Sequence, residues 1–204
     1  MEKHPLLFNR SNLALEVGCD EAGRGCLAGP VVAAAVILKN PIEGLNDSKK
    51  ITLLQRKQLK LKIESEALSY AVAFVSPRRI DEINILNASI EAMHVALDGL
   101  SVTPEHILVD GNRFKPYHNV SHECIIRGDG IYQSIAAASI LAKTYRDQYM
   151  DQLDVEFPVY GWKKNMGYPT KKHEQALLEN GISIHHRASF GIVKTLLQRS
   201  LFQP

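Results

Sequence analysis

What this chain lacks narrows it quickly. No apolar run in its 204 residues approaches membrane-spanning length. The charged first residues and the short Leu6-Leu7-Phe8 give no reason to expect a secretory leader. Only three cysteines are present (Cys19, Cys26 and Cys124), with no CxxC pair. A disulfide scaffold is therefore disfavoured, and a reduced, cytoplasmic setting is the expectation. Neither a P-loop pattern nor a GxGxxG turn occurs, which removes the commonest nucleotide-binding signatures. The formal net charge is only +2, so total charge does not mark a nucleic-acid binder. Internal repeats and low-complexity tracts are also missing.

What is present is unevenly placed. Lys49, Lys50, Arg56, Lys57, Lys60 and Lys62 follow one another without an intervening acid. Lys163, Lys164, Lys171 and Lys172 surround Tyr160, Trp162 and Tyr168. Basic clusters with interleaved aromatics suit a nucleic-acid backbone, and a solvated helix face is the plainer alternative for the first. Apolar runs at Leu13–Cys19, Val31–Leu38, Leu68–Val75, Ile107–Val109 and Glu123–Arg127 read as strands. Helical spacing spans Thr52–Glu66, Asn87–Leu100 and Tyr132–Leu153, where Ala136, Ala137, Ala138 and Ala142 allow close approach to a sheet. Shorter helices are expected over Lys171–Glu179 and Ile192–Leu201. The pattern predicts an α/β three-layer domain with a mixed five-stranded sheet over residues 1–157. Residues 158–204 are expected to form a helical C-terminal extension packed over the site.

Four acids fall where strands end. Asp20 and Glu21 follow the first run and precede Gly23-Arg24-Gly25. Asp110 follows Ile107-Leu108-Val109, and Asp129 lies between Gly128 and Gly130. Ligands of α/β sheets gather outside strand ends, so the four could share one oxygen-rich pocket. Close carboxylates repel unless cations join them, and hard Mg²⁺ or Mn²⁺ suits such donors. Two such ions can assist a phosphodiester displacement. The bland alternatives are a helix cap for Asp129 and a turn for Asp110. Neighbouring strand residues face opposite ways, so Asp20 and Glu21 are expected to share a site only if the chain turns there.

The segments "GCDEAGRGCLAGPVVAAAVIL", "LNDSKK", "ILVDGN", "RGDGIYQSIAAASILAKTYRD" and "MGYPTKKHEQALLENGISIHHRASF" together resemble ribonuclease HII, in order from about Glu16 to Phe190. The resemblance implies a ribonuclease H-like fold. It also implies cleavage of the RNA strand of RNA–DNA hybrids and incision of duplex DNA 5′ to an embedded ribonucleotide. It places the metal-binding and catalytic quartet on Asp20, Glu21, Asp110 and Asp129, with Mg²⁺ or Mn²⁺ as cofactor. Gly23, Arg24 and Gly25 match the family's reader of the 2′-hydroxyl, and Tyr168 its partner at the RNA-to-DNA junction. Ser48, Lys49, Thr170 and Lys171 match phosphate-contacting positions. His186 and Arg187 fall in a further motif, with a structural or substrate-contacting role. A monomer is expected. Partners beyond the nucleic acid, such as a sliding clamp or polymerase, are not legible, although Gln198–Phe202 has a faint clamp-ligand look.

Three other readings compete. A zinc module could draw on His118, His122 and Cys124, with Cys19 or Cys26 as a further ligand. A non-catalytic nucleic-acid binder explains the basic clusters but not four acids at strand ends. A phosphate-binding nucleotide enzyme lacks its glycine loop. Lys143 and Asp147, four apart on a helix, are expected to form a simple exposed pair.

Overall fold

A glycine in the first strand lets a helix lie directly on the sheet. In this computed structural model, which describes residues 5–11, 13–45 and 51–201, β1 spans Glu16–Ala22 and carries Gly18 at its middle. A Cβ on Gly18 would lie 2.2 Å from the backbone of Ser134. Ser134 belongs to the long helix α3 (Gln133–Glu156), whose Ala136, Ala137, Ala138 and Ala142 are all buried. Small residues on both sides bring helix and strand backbones together. The acid that follows on the same strand face, Asp20, thereby comes within reach of Ser139 on α3.

The remaining strands are β2 (Val31–Leu38), β3 (Ala67–Val75), β4 (His106–Asp110) and β5 (Ser121–Ile125). They form one five-stranded sheet in the order β3-β2-β1-β4-β5. The β1–β2 and β2–β3 pairs are antiparallel, whereas β1–β4 and β4–β5 are parallel. All eight residues of β2 are buried, which its unbroken Val, Ala and Ile run requires of a strand covered on both faces. Alternate residues serve two cores. Ala33, Ala35 and Ile37 pack with Ile80, Met93 and Leu97 of α2 (Pro77–Asp98). Ala34, Val36 and Leu38 pack with Ile63 of α1 (Leu53–Glu66) and Ile140 and Leu141 of α3. The result is helix, sheet, helix.

Two boundaries differ from the sequence expectation for local reasons. The helix expected over Asn87–Leu100 begins earlier, at Pro77, and breaks at Asn84, where φ is 68°. There the Asn84 side chain accepts from the N–H groups of Leu86 and Asn87 at 3.0 and 3.1 Å, as an N-cap does. The fifth strand stops at Ile125 rather than Arg127, because Arg127 adopts φ 58° and leads into a 3₁₀ turn at Gly128–Gly130.

Beyond α3 come α4 (Trp162–Asn165), α5 (Lys171–Asn180) and α6 (Gly191–Leu201). Their buried Trp162, Leu177 and Val193 share a third core with Leu27, Ala28, Met150 and Leu153. The segment joining β1 to β2 is thus clamped between the sheet domain and these helices. Leu27 N–H donates to the Gly167 carbonyl at 2.7 Å, and Gly29 N–H to the His185 carbonyl at 2.9 Å.

Candidate active site

Asp20 and Glu21 share a cleft without the turn that the sequence pattern called for. β1 continues in register with β2 to Ala22↔Val32, but its pairing with β4 ends at Cys19↔Val109. Past that point one edge of β1 is unpaired by β4, and both acids border the notch. The turn comes afterwards, at Gly23, with φ +94°. Asp110, the last residue of β4, closes the notch from the other side. A cleft of about 420 Å³ is lined by Asp20, Glu21, Asp110, the Gly23-Arg24-Gly25 loop and Tyr168, together with Arg56, Ser139 and Lys143.

The electrostatics reflect crowded acids. Burial first, then the charges of Glu21 and Asp110, hold Asp20 well above the usual carboxylate range. Glu21 is also raised by burial, although Arg24 opposes this with a salt bridge of 3.1 Å. Asp20 Oδ1 accepts the Glu21 N–H at 2.7 Å, and Asp110 Oδ1 accepts the Gly128 N–H at 2.7 Å. That second bond ties the strand end to the turn carrying Asp129. Asp129 itself is buried next to Gly128 and is not among the residues lining the cleft. No three His, Cys, Asp or Glu side chains among the described residues are grouped tightly enough, as they stand, to enclose a metal ion. The zinc candidates His118, His122 and Cys124 do not form such a group either. The donor set of the cleft fits a hard divalent cation on two counts. It is all carboxylate oxygen, and a cation there would relieve the repulsion that raises Asp20.

The glycine loop is held from beneath by an arginine fully shielded from solvent. Arg187 Nη2 donates to the Gly23 carbonyl at 2.7 Å and to Gly29 at 2.9 Å. Its Nη1 donates to Arg24 at 2.9 Å, and its Nε to Gly29 at 3.1 Å. Burial pulls this guanidinium down to about 10, still charged at neutral pH. Every peptide bond here is trans. Turning the Gly23 and Arg24 carbonyls onto Arg187 therefore turns the N–H groups of Arg24 and Gly25 the opposite way. A second buried arginine, Arg146, donates to the carbonyls of Ala28, Pro30 and Met166 at 3.1, 3.1 and 2.9 Å. Its guanidinium carbon also lies 6.0 Å from the Tyr168 ring centre.

Several expected contacts lie elsewhere. Arg187 and His186 are buried, in keeping with the structural one of the two roles expected for them: Arg187 supports the loop, and His186 packs among Tyr160 and Trp162. Thr170 caps α5, its hydroxyl accepting from His173 N–H at 3.2 Å, and lines with Lys164, Lys171 and Lys172 a groove separate from the acids. Ser48 and Lys49 lie outside the described residues. So does Phe202 of the C-terminal tail. Asp147 is not an exposed partner of Lys143. It is largely shielded, receiving Lys143 Nζ on Oδ1 and Arg56 Nη1 on Oδ2 at 3.4 Å. This bridge brings Arg56 and Lys143 into the cleft that the acids line, and sequence reasoning missed Arg56 there. Arg146 was also missed. A charged residue on an amphipathic helix gives no sign that it will be buried.

Comparison with known proteins follows the same lines. The family profile described as Ribonuclease HII matches residues 17–193. The ribonuclease HII of Christiangramia forsetii is 60% identical over 197 residues, covering 94% of this chain and 98% of that protein. That of Bacteroides thetaiotaomicron is 59% identical over 181 residues, covering 88% and 90%. Among solved structures, the ribonuclease H2 of Pyrococcus horikoshii superposes with a TM-score of 0.77 at 27% identity, covering 92% of this chain and 99% of that one.

Proposed function

The chain belongs to the ribonuclease HII family, and we propose from that premise that it both cleaves the RNA strand of RNA–DNA hybrids and incises duplex DNA 5′ to an embedded ribonucleotide. Metal-dependent ribonuclease activity, a hydrolase function, comes with the family. The single-ribonucleotide activity and the residue roles are our reading. The observation that carries them is one cleft in which three carboxylates, a glycine-flanked arginine loop and an exposed tyrosine ring stand together.

In this reading Asp20, Glu21 and Asp110 hold divalent ions, with Asp129 completing the set from its turn. When bound, Mg²⁺ or Mn²⁺ would supply Lewis-acid stabilisation of charge at the phosphodiester, two ions serving attacking and leaving oxygens. The products are then 5′-phosphate and 3′-hydroxyl ends. The Arg24 and Gly25 N–H groups, turned away from Arg187, meet the ribose 2′-hydroxyl where no side chain intervenes. The Tyr168 ring lies against the following sugar, which fits only without a 2′-hydroxyl. Lys143 and Arg56 place positive charge beside the phosphate track, and positioning of this kind carries no sequence information. Thr170 and Lys171 extend that track outward along their own groove.

A monomer in a reduced, cytoplasmic setting belongs to the same reading, in keeping with three unpaired cysteines. No described helix is long and apolar enough to cross a membrane.

The deciding experiment compares nicking of a duplex bearing one ribonucleotide with cleavage of an all-RNA hybrid, in Mg²⁺ and in Mn²⁺. Asp20→Asn and Asp110→Asn should each abolish both reactions. Retained activity in either variant would remove the proposed metal site. A wild-type enzyme that ignores the single ribonucleotide would confine the function to hybrids.

A further inference from the structure

The backbone that presents Tyr168 is fastened at three points. The Gly167 carbonyl accepts the Leu27 N–H at 2.7 Å, and the Tyr168 N–H donates to the Asn165 carbonyl at 2.8 Å. The Tyr168 carbonyl accepts the Thr170 N–H at 2.8 Å and lies 2.9 Å from His173 Nδ1. Behind His173 runs a line of buried polar groups with no part in the reading above. His173 Nε2 accepts the indole N–H of Trp162 at 3.0 Å and lies 3.1 Å from His186 Nε2. His186 Nδ1 accepts the Ser183 N–H at 3.1 Å and lies 2.9 Å from Ser183 Oγ.

The fixed donors determine where the protons sit. Because His173 Nε2 accepts from Trp162, a neutral His173 carries its proton on Nδ1 and donates it to the Tyr168 carbonyl. Because His186 Nδ1 accepts from the Ser183 backbone, a neutral His186 carries its proton on Nε2 and donates it to His173 Nε2. Every nitrogen is satisfied by one pair of tautomers. An added proton on either ring would set donor against donor. The surroundings agree. Burial lowers His173 despite the opposing charge of Glu174, and burial with the neighbouring His173 and His185 lowers His186 to about 4. The other faces of the pair are the rings of Tyr160 and Trp162.

We propose that Ser183, His186 and His173 are positioning residues that fix the Tyr168 carbonyl and so hold its ring in register with the Gly23–Gly25 loop at the RNA-to-DNA junction. The inference rests on the reading of Tyr168 as the junction contact. It gives the C-terminal helices a task in specificity: α5 supplies His173, the segment before α6 supplies Ser183 and His186, and both converge on one peptide group.

The test measures, for the full chain, the preference for a duplex with one ribonucleotide over the all-DNA duplex and the all-RNA hybrid. His173→Leu should lower the single-ribonucleotide preference about tenfold, the scale expected of a ring displaced by a fraction of an ångström. His173→Asn, whose amide N–H replaces the Nδ1 donor, should recover most of it. If Tyr168→Ala loses the preference while His173→Leu keeps it, the proposal is wrong and the junction reading stands. If Tyr168→Ala keeps the preference, the junction reading fails and the specificity role falls with it. Nitrogen NMR of the wild-type imidazoles at neutral pH tests the arrangement without any variant. It should show Nδ1–H on His173 and Nε2–H on His186, and the opposite tautomer on either ring overturns the proposal.

Discussion

Replacing Arg187 with methionine should separate the support of the glycine loop from its chemistry. The methionine keeps most of the buried apolar stem but leaves the carbonyls of Gly23, Arg24 and Gly29 without their guanidinium donors. A buried carbonyl deprived of its partner costs roughly 1–3 kcal/mol, so three such losses amount to about 6 kcal/mol at the middle of that range. Against this stands relief from burying a charge. The fall of Arg187 from 12.5 to about 10 corresponds to roughly 3 kcal/mol. The expected net loss is therefore about 3 kcal/mol, in line with other broken buried charge networks. For a chain of this length that lowers Tm by roughly 6–12 °C. The assay pairs urea unfolding with nicking of a single-ribonucleotide duplex at a temperature where the variant is folded. Arg24→Ala is the control. Its side chain is half exposed and makes one salt bridge, so stability should change by less than about 0.5 kcal/mol while ribose selectivity falls. An Arg187→Met protein within about 1 kcal/mol of wild type, with unaltered selectivity, would refute the claim that this arginine orients the loop.

Three further outcomes follow from the same contacts. Gly23→Ala, at φ +94° with its new Cβ 2.0 Å from Arg146 Nε, should cost about 2 kcal/mol or more in thermal unfolding. Gly25→Ala, which meets nothing within 4 Å, should leave Tm unchanged, and a comparable loss at both positions would contradict this asymmetry between the two ends of the loop. Asp20→Asn should raise Tm in chelator at neutral pH, since it removes a charge that burial, Glu21 and Asp110 all disfavour; Mg²⁺ should then stabilise the wild type and not the variant. His186 lies at about 4 in the folded chain against about 6.5 unfolded, so the unfolded state binds more protons between those values. Its contribution is complete above about pH 6.5 and is lost as pH falls through about 4, on the order of 3 kcal/mol; His186→Phe should flatten that part of a stability–pH curve.

The parts legible from sequence are those with short-range signals. Continuous Val, Ala and Ile in β2 announced a strand covered on both faces, and the alanines of α3 announced close packing. The acids stood out because each adjoins an apolar run and a glycine. What stayed hidden depends on pairing between distant segments. Asp20 and Glu21 share the cleft because the pairing of β1 with β4 stops at Cys19↔Val109, just before them, and nothing near residue 20 records where that pairing stops. The burial of Arg187 and Arg146 was not legible because it depends on carbonyls from the β1–β2 segment, far away in sequence. His186 lies in a family motif that left a structural and a substrate-contacting role side by side, and its partners Ser183, His173 and Trp162 place it in the interior.

These long-range contacts would let a loop rich in glycine discriminate in the way proposed. A flexible Gly-Arg-Gly turn left to itself would sample many conformations, and a hydroxyl could be met or missed at little cost. Here the Gly23 and Arg24 carbonyls are committed to Arg187, Gly23 is closed against Arg146, and Leu27 and Gly29 are bonded to the segments that join the C-terminal helices. The glycines allow close approach, and the buried arginines remove the freedom that glycine would otherwise bring. Arg146 also bonds to the Met166 carbonyl, two residues before Tyr168, so one guanidinium touches the supports of both the loop and the ring. The spacing between the Gly23–Gly25 loop and the Tyr168 ring is thereby set by interior hydrogen bonds. On this geometry a variant that loosens Arg146, such as Arg146→Lys, should weaken discrimination against ribose and against deoxyribose together, whereas Arg24→Ala or Tyr168→Ala should weaken only one of them. Parallel kinetics on duplexes with ribose or deoxyribose placed separately at the nucleotide 3′ to the scissile phosphate and at the one that follows it distinguish the two patterns, and independent changes in Arg146→Lys would show that loop and ring are set separately.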